Sequence, residues 1–116
     1  MPDLGSPISY LVLARGADVY DVDGAHVGTV DHVLADADAD IFDGLIVELR
    51  PGARRFADAD QVAALYERGA VLNVPGSALH EPDRIAATMR ATPDDVTEGE
   101  LHRRLRRAWD YISGNY

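Results

Sequence analysis

The chain contains no cysteine. That excludes a disulfide framework and any zinc site built on thiolates. Lysine is missing too, so the 11 basic side chains are all arginine, a compositional bias rather than a functional sign. No long hydrophobic run occurs, and a membrane-spanning helix would need ~20 apolar residues in succession. The opening residues have no charged stretch followed by an apolar one, so no secretory signal is expected and the expected location is cytoplasmic. Positive charge is scarce: 20 acids face 11 arginines, for a net charge of −9. A surface of that sign repels nucleic acid and anionic membranes unless a local basic patch overrides it. The simplest role of such charge is solubility. What is present is a 47% hydrophobic composition over 116 residues. That is too apolar for a disordered chain and enough for one domain with a modest core.

Residues 1–7 hold Pro, Gly and Ser and read as a lead-in. "ISYLVLARG", Ile8 to Gly16, is apolar and closed by glycine, and fits a short strand or one or two helical turns. "DVYDVDGAHVGTVDHVLAD" follows, two β-rich runs split by Asp23-Gly24. Asp-Gly between alternating residues predicts a hairpin with a two-residue turn. Val22 would then face Ala25, Asp21 would face His26, and Tyr20 would face Val27. Tyr20, Val22, Ala25 and Val27 would be buried, with Asp21 and His26 on the wet face. Beyond Gly28 the alternation slips, which predicts a bulge or bend there.

"DADADIFDG" reads as a polar connection, and "LIVELR" as a half-buried strand with Leu45, Val47 and Leu49 on its inner face. Pro51-Gly52 is a turn and Arg54 to Ala57 a short strand. "DADQVAALYERG" starts with capping acids, places Val62, Leu65 and Tyr66 at helical spacing and stops at Gly69, so a helix is expected. "AVLNV", Ala70 to Val74, is one more strand. From Glu81 the β pattern ends. "PDRIAATMR" predicts a short helix with Ile85 and Met89 one turn apart. Thr92-Pro93-Asp94-Asp95, and Thr97 with Glu100, are helix-start signals. The helix expected after them, about 98–112, is amphipathic: Leu101, Leu105, Ala108, Trp109 and Ile112 form a stripe, with four arginines beside it. Residues 1–80 carry 13 acids against 5 arginines, whereas residues 81–116 carry 7 against 6.

The run from the opening hairpin through "GLIVEL", "RRFADADQVAAL" and "AVLNV" resembles the PRC-barrel family, over residues 17–80. The likeness is to a single-domain bacterial member with a helical C-terminal extension. It implies a mainly β fold: a small, strongly bent antiparallel β-barrel over residues 1–80, with residues 81–116 as a helical extension packing on the barrel or on a partner. Members of the family are typically adaptor or interaction domains and some self-associate. The resemblance brings no catalytic residues with it. The implied function is a non-enzymatic protein–protein interaction module, self-associating as a homodimer, with a further protein partner unidentified. The alternative is a ribosome- or RNA-associated assembly factor, since the family includes a domain of a factor that matures the small ribosomal subunit. Nucleic acid would then be met only through the last helix.

The metal-like motifs lack essential ligands. An EF-hand loop with Gly24 at its sixth position would put Val19 first and Val30 twelfth, where acids are required. "DADADIF" places Ile41 where the loop glycine belongs. The four histidines, His26, His32, His80 and His102, show no two-histidine ligand spacing. Glu98 and His102 stand one helical turn apart, a common surface contact. No Gly-x-Ser-x-Gly and no phosphate loop occurs. The expectation is therefore no catalytic residue, no cofactor and no metal. The remaining candidate is "LHRRLRRAWDY", where Arg103, Arg104, Arg106, Arg107 and Trp109 combine an arginine arc with a large aromatic, a composition typical of interfaces. Its simpler reading is a helix whose arginines lie over the acidic barrel.

Overall fold

The structure is a computed structural model, described here for residues 2–91 and 99–114. Thr92, Pro93, Asp94, Asp95, Thr97 and Glu98, which carry the helix-start signals, lie outside the described residues. Six strands form one sheet: β1 Asp18–Tyr20, β2 His26–Asp36, β3 Ile41–Arg50, β4 Ala53–Asp58, β5 Val62–Tyr66 and β6 Gly69–Leu72. Two helices follow, α1 Pro82–Ala91 and α2 Glu100–Ile112. The strand order is β4-β3-β2-β1-β6-β5. All neighbours are antiparallel except β1 and β6, which run parallel. The sheet is strongly bent but not closed, and β4 and β5 remain its edges.

Both edges are partly covered. Phe56 of β4 exchanges two backbone hydrogen bonds with His80, at 2.9 and 2.9 Å. At the other edge the N-terminal segment bridges Pro7 to Tyr66, and the Ile8 amide donates to the Leu65 carbonyl at 3.0 Å. Such covers keep an open sheet from pairing with other chains.

The opening hairpin forms, but with a different turn. Tyr20 pairs with His26 and Val19 with Gly28. The turn spans Asp21 to Ala25, and of its residues only Gly24 has positive φ, at 82°. A two-residue type I′ turn would need positive φ at Asp23 as well. Asp21 replaces it: its Oδ1 accepts from the amides of Asp23 at 2.9 Å and Ala25 at 3.0 Å. Asp21 is therefore buried and Val22 exposed, the reverse of the simple alternation.

The bend expected at Gly28 is present as a close approach. A Cβ there would lie 2.2 Å from the Glu48 carbonyl oxygen, so only glycine lets β2 and β3 cross this tightly. A register shift in the β1–β2 ladder lies beside it.

Of the two alternatives for residues 8–16 the helical one forms, as a single 3-10 turn at Tyr10–Val12 capped by the Ser9 hydroxyl. Two expectations are corrected. Residues 41–44 belong to β3, because the polar connection is only the short turn after Asp36. The helix expected at 58–69 is a 3-10 turn at Ala59–Gln61 followed by β5. Asp58 does cap it, in a full capping box with Gln61. But Ala70 and Leu72 of β6 need a strand partner, and pairing with β-branched Val62 and with Leu65 supplies it.

Two apolar clusters hold the molecule. Leu13, Val19, Val30, Leu45, Val47, Ala57, Ala70, Leu72 and Leu79 fill the inside of the curled sheet. Leu34, Ile46 and Phe56 face the other way and meet Ile85, Leu105 and Ala108 of the helices. The alternation read in "LIVELR" is right, yet Leu45, Ile46 and Val47 are all fully buried. The helices cover the face that alternation alone leaves wet. No helix among the described residues is long and apolar enough to cross a membrane.

Candidate functional site

The arginine-rich helix α2 lies against the sheet, and its arginines divide by direction. Arg104 is buried. Its Nη2 meets Glu100 at 2.6 Å, while Nη1 meets Asp60 at 3.0 Å and Asp58 at 3.7 Å. Arg107 reaches inward as well, placing Nε 2.7 Å from Asp43 Oδ2. Asp43 is fully buried, so this pair is the charge compensation that keeps a carboxylate inside. Arg103 is exposed and meets Glu100 at 3.9 Å. Arg106 is partly buried on the same helix. Trp109 packs with Tyr111 and Ile112 against the second apolar cluster. The five residues singled out in the sequence thus share one helix but not one surface.

The strands supply acids where their pairing slips. Asp31 is the extra residue between the Val30–Val47 and His32–Ile46 pairs, and Asp43 the extra one between Leu34–Gly44 and Ala35–Phe42. A bulge re-aims a side chain, which explains how two acids come to be buried in apolar strands. Asp31 collects Arg15 at 3.3 Å, Arg54 at 3.5 Å and the Tyr111 hydroxyl at 3.0 Å. The Tyr111 ring stacks on His32, centroids 4.5 Å apart and 9° from parallel. Burial, then the hydrogen bond to Asp31, raises the Tyr111 hydroxyl above its ordinary pKa. Sequence reading missed Asp31 and Asp43, whose only signal was an acid standing inside an otherwise apolar run, and read Asp58 as a cap alone.

Asp58 forms a third centre. His80 Nε2 lies 2.7 Å from its Oδ2, and the Asp60 amide donates to Oδ1 at 2.8 Å. Burial pushes the Asp58 carboxyl up, but the His80 hydrogen bond, the Asp60 amide and the charges of His80 and Arg104 bring it below the ordinary value. Asp21 behaves likewise. Burial opposes ionisation, and the amides of Ala25, Gly76 and Asp23 outweigh it, so its pKa is lowered. Asp21 is not paired with His26, which instead meets Asp18 at 3.0 Å.

A shallow groove of about 460 Å³ lies beside the hairpin, lined by Asp21, His26, Leu49, Arg55, Ser77 and Glu81 among others. The Asp21 carboxylate is committed to the turn, where it accepts from the amides of Asp23, Ala25 and Gly76. Among the described residues no three His, Asp or Glu side chains come together in a way that could hold a metal ion. Chemically the arrangement does structural work: carboxylates tie turns, and arginines tie a helix to a sheet.

No curated protein matches the chain. The model of the PRC-barrel domain matches residues 10–66. The match starts earlier than the resemblance in the sequence, at the 3-10 turn, and ends with β5, so β6 and both helices lie beyond it. The bent sheet built from an opening hairpin, with its bulged β2 and β3, agrees with that assignment, and through this domain the chain belongs to the PRC-barrel family.

Proposed function

We propose that this chain is a non-enzymatic protein–protein interaction module that associates with itself. Domains of this family are generally non-catalytic, and the polar centres described above are spent on holding turns and helices in place. The observation that carries the reading is an exposed apolar pair. Leu11 and Val12 stand adjacent on the surface, 61% and 66% exposed. Scattered apolar residues on a surface need no explanation, but neighbouring large ones on an acidic chain point to a contact face.

The reading through nucleic acid finds less support. It needs four arginines acting together, and Arg104 is already paired with Glu100, Asp58 and Asp60, and Arg107 with Asp43. Light scattering coupled to size exclusion tests the self-association reading. A mass of twice the chain's 12.6 kDa is expected at high protein concentration, and a monomer at every concentration refutes it.

A further inference from the structure

We propose that the face centred on the turn Tyr10–Val12 is the contact between two copies of this chain. The inference rests on the self-association reading and names the surface that carries it. Both sides of the turn are anchored. Tyr10 stacks on Phe42 with ring centroids 5.3 Å apart, and its hydroxyl donates to Asp40 Oδ1 at 2.7 Å. Leu13 is buried in the inner cluster. The side chains between them, Leu11 and Val12, therefore cannot turn inward and project to solvent. Leu11 forms part of the wall of a groove of about 230 Å³ that also takes in Leu13, Arg15, Asp31, His32 and Val33. Val12 stands next to this groove, so a two-fold rotation can seat Val12 of each copy against the Leu11-walled recess of the other.

The charges around the face identify the occupant. Near one end stands Arg15, its side chain 75% exposed and its guanidinium on Asp31. Near the other end is the turn joining β2 to β3, tethered by the Tyr10–Asp40 bond, where Asp38 and Asp40 are exposed. Strand β2 runs from Asp31 to Asp36 between the two ends, roughly 16 Å at the rise of an extended chain. A partner of a single charge sign would match one end and be repelled by the other. A second copy related by a two-fold axis brings Arg15 of each chain to the acidic turn of the other and satisfies both ends at once.

Sedimentation and light scattering over a concentration series test the proposal. The wild-type chain should dimerise, and the double substitution Leu11→Asp, Val12→Asp should leave a monomer whose circular dichroism matches the wild type and whose melting temperature, unlike the wild type's, does not rise with protein concentration. Arg15→Glu and Asp38→Arg should each weaken dimerisation roughly tenfold, the size of a lost charge contact at an interface rim. Combining both reversals in one chain should restore it, because each reversed end meets a reversed partner. A dimer unaffected by the Leu11 and Val12 substitutions overturns this face while leaving self-association standing. A doubly reversed chain no tighter than either single variant overturns the charge pairing and the face with it. A wild-type chain that stays monomeric throughout overturns the face and the self-association reading together.

Discussion

Asp21 illustrates how much one side chain decides at a turn. Read by alternation it belongs on the wet face opposite His26, and in the folded chain it is buried and accepts from three backbone amides. The Asp-Gly pair was legible as a turn because glycine and aspartate tolerate its backbone angles. The turn type was not legible, because alternation gives no sign that the Asp21 carboxylate folds back onto the Asp23 and Ala25 amides, nor that Gly76, 55 residues along the chain, donates to its other oxygen. Gly28 was legible more fully, since a glycine where the period breaks signals close packing whatever its neighbour. Gly28→Ala should cost about 3 kcal/mol or more, because the new methyl meets the rigid Glu48 carbonyl rather than a side chain that can move. Urea unfolding measures this, and a loss within ~0.5 kcal/mol would place the strands farther apart than described.

At the scale of elements, α2 is bound to the sheet by apolar contact and by charge together. Arg107 covers a carboxylate with no exposure at all, whereas Arg103 stays in water. Arg107→Leu should therefore destabilise the fold by about 3 kcal/mol, the usual result of leaving one buried charge unpaired. Arg103→Leu should change it by less than ~0.5 kcal/mol, as for an exposed ion pair. Denaturant titration of both variants makes the comparison, and equal losses would contradict the division of the arginines described above. Removal of everything after His80 is the harsher test. It strips Ile85, Leu105 and Ala108 from Leu34, Ile46 and Phe56, all three of them fully buried in the intact chain. The shortened chain should aggregate or bind a hydrophobic dye. A soluble truncated chain with a native circular dichroism spectrum would mean the helices are an accessory clasp.

Within the same scale, β5 shows where local pattern gave way. Acids, a capping box and helical spacing agreed on a helix, and one 3-10 turn is all that formed. Helical spacing over so few residues carries little weight against a neighbouring strand that needs a partner. The amphipathic stripe of α2 was legible because Leu105, Ala108, Trp109 and Ile112 repeat over several turns. Leu101, counted in the stripe, lies in the first turn of α2 and is 46% exposed.

For the molecule as a whole, the acids that ordinarily serve solubility also set its behaviour in acid. Asp21 and Asp58 ionise more readily in the folded chain than at the ordinary aspartate value of 3.8. Their stabilisation is complete above that value and is lost as the pH falls below it, through their lowered folded values. Melting temperature followed from pH 6 downward should hold steady and then drop below about 3.8. Asp58→Asn should flatten part of that drop, and an acid limb identical to wild type would show that Asp58 does not contribute to it.

By itself the sequence determined the class of fold, the hairpin near Asp23-Gly24, the bend at Gly28 and the amphipathic last helix. These follow from short-range chemistry: backbone angles that few residues accept, and periodicities repeated over adjacent positions. The tertiary structure alone decided which acids are buried, which arginines are spent on them, and that Leu11 and Val12 are left outside. Bulges at Asp31 and Asp43 and the covering of Ile46 by α1 and α2 depend on residues far apart in the chain. Burial is a property of what lies opposite a side chain, and local pattern records it for one face of an element but not for a face that distant residues cover.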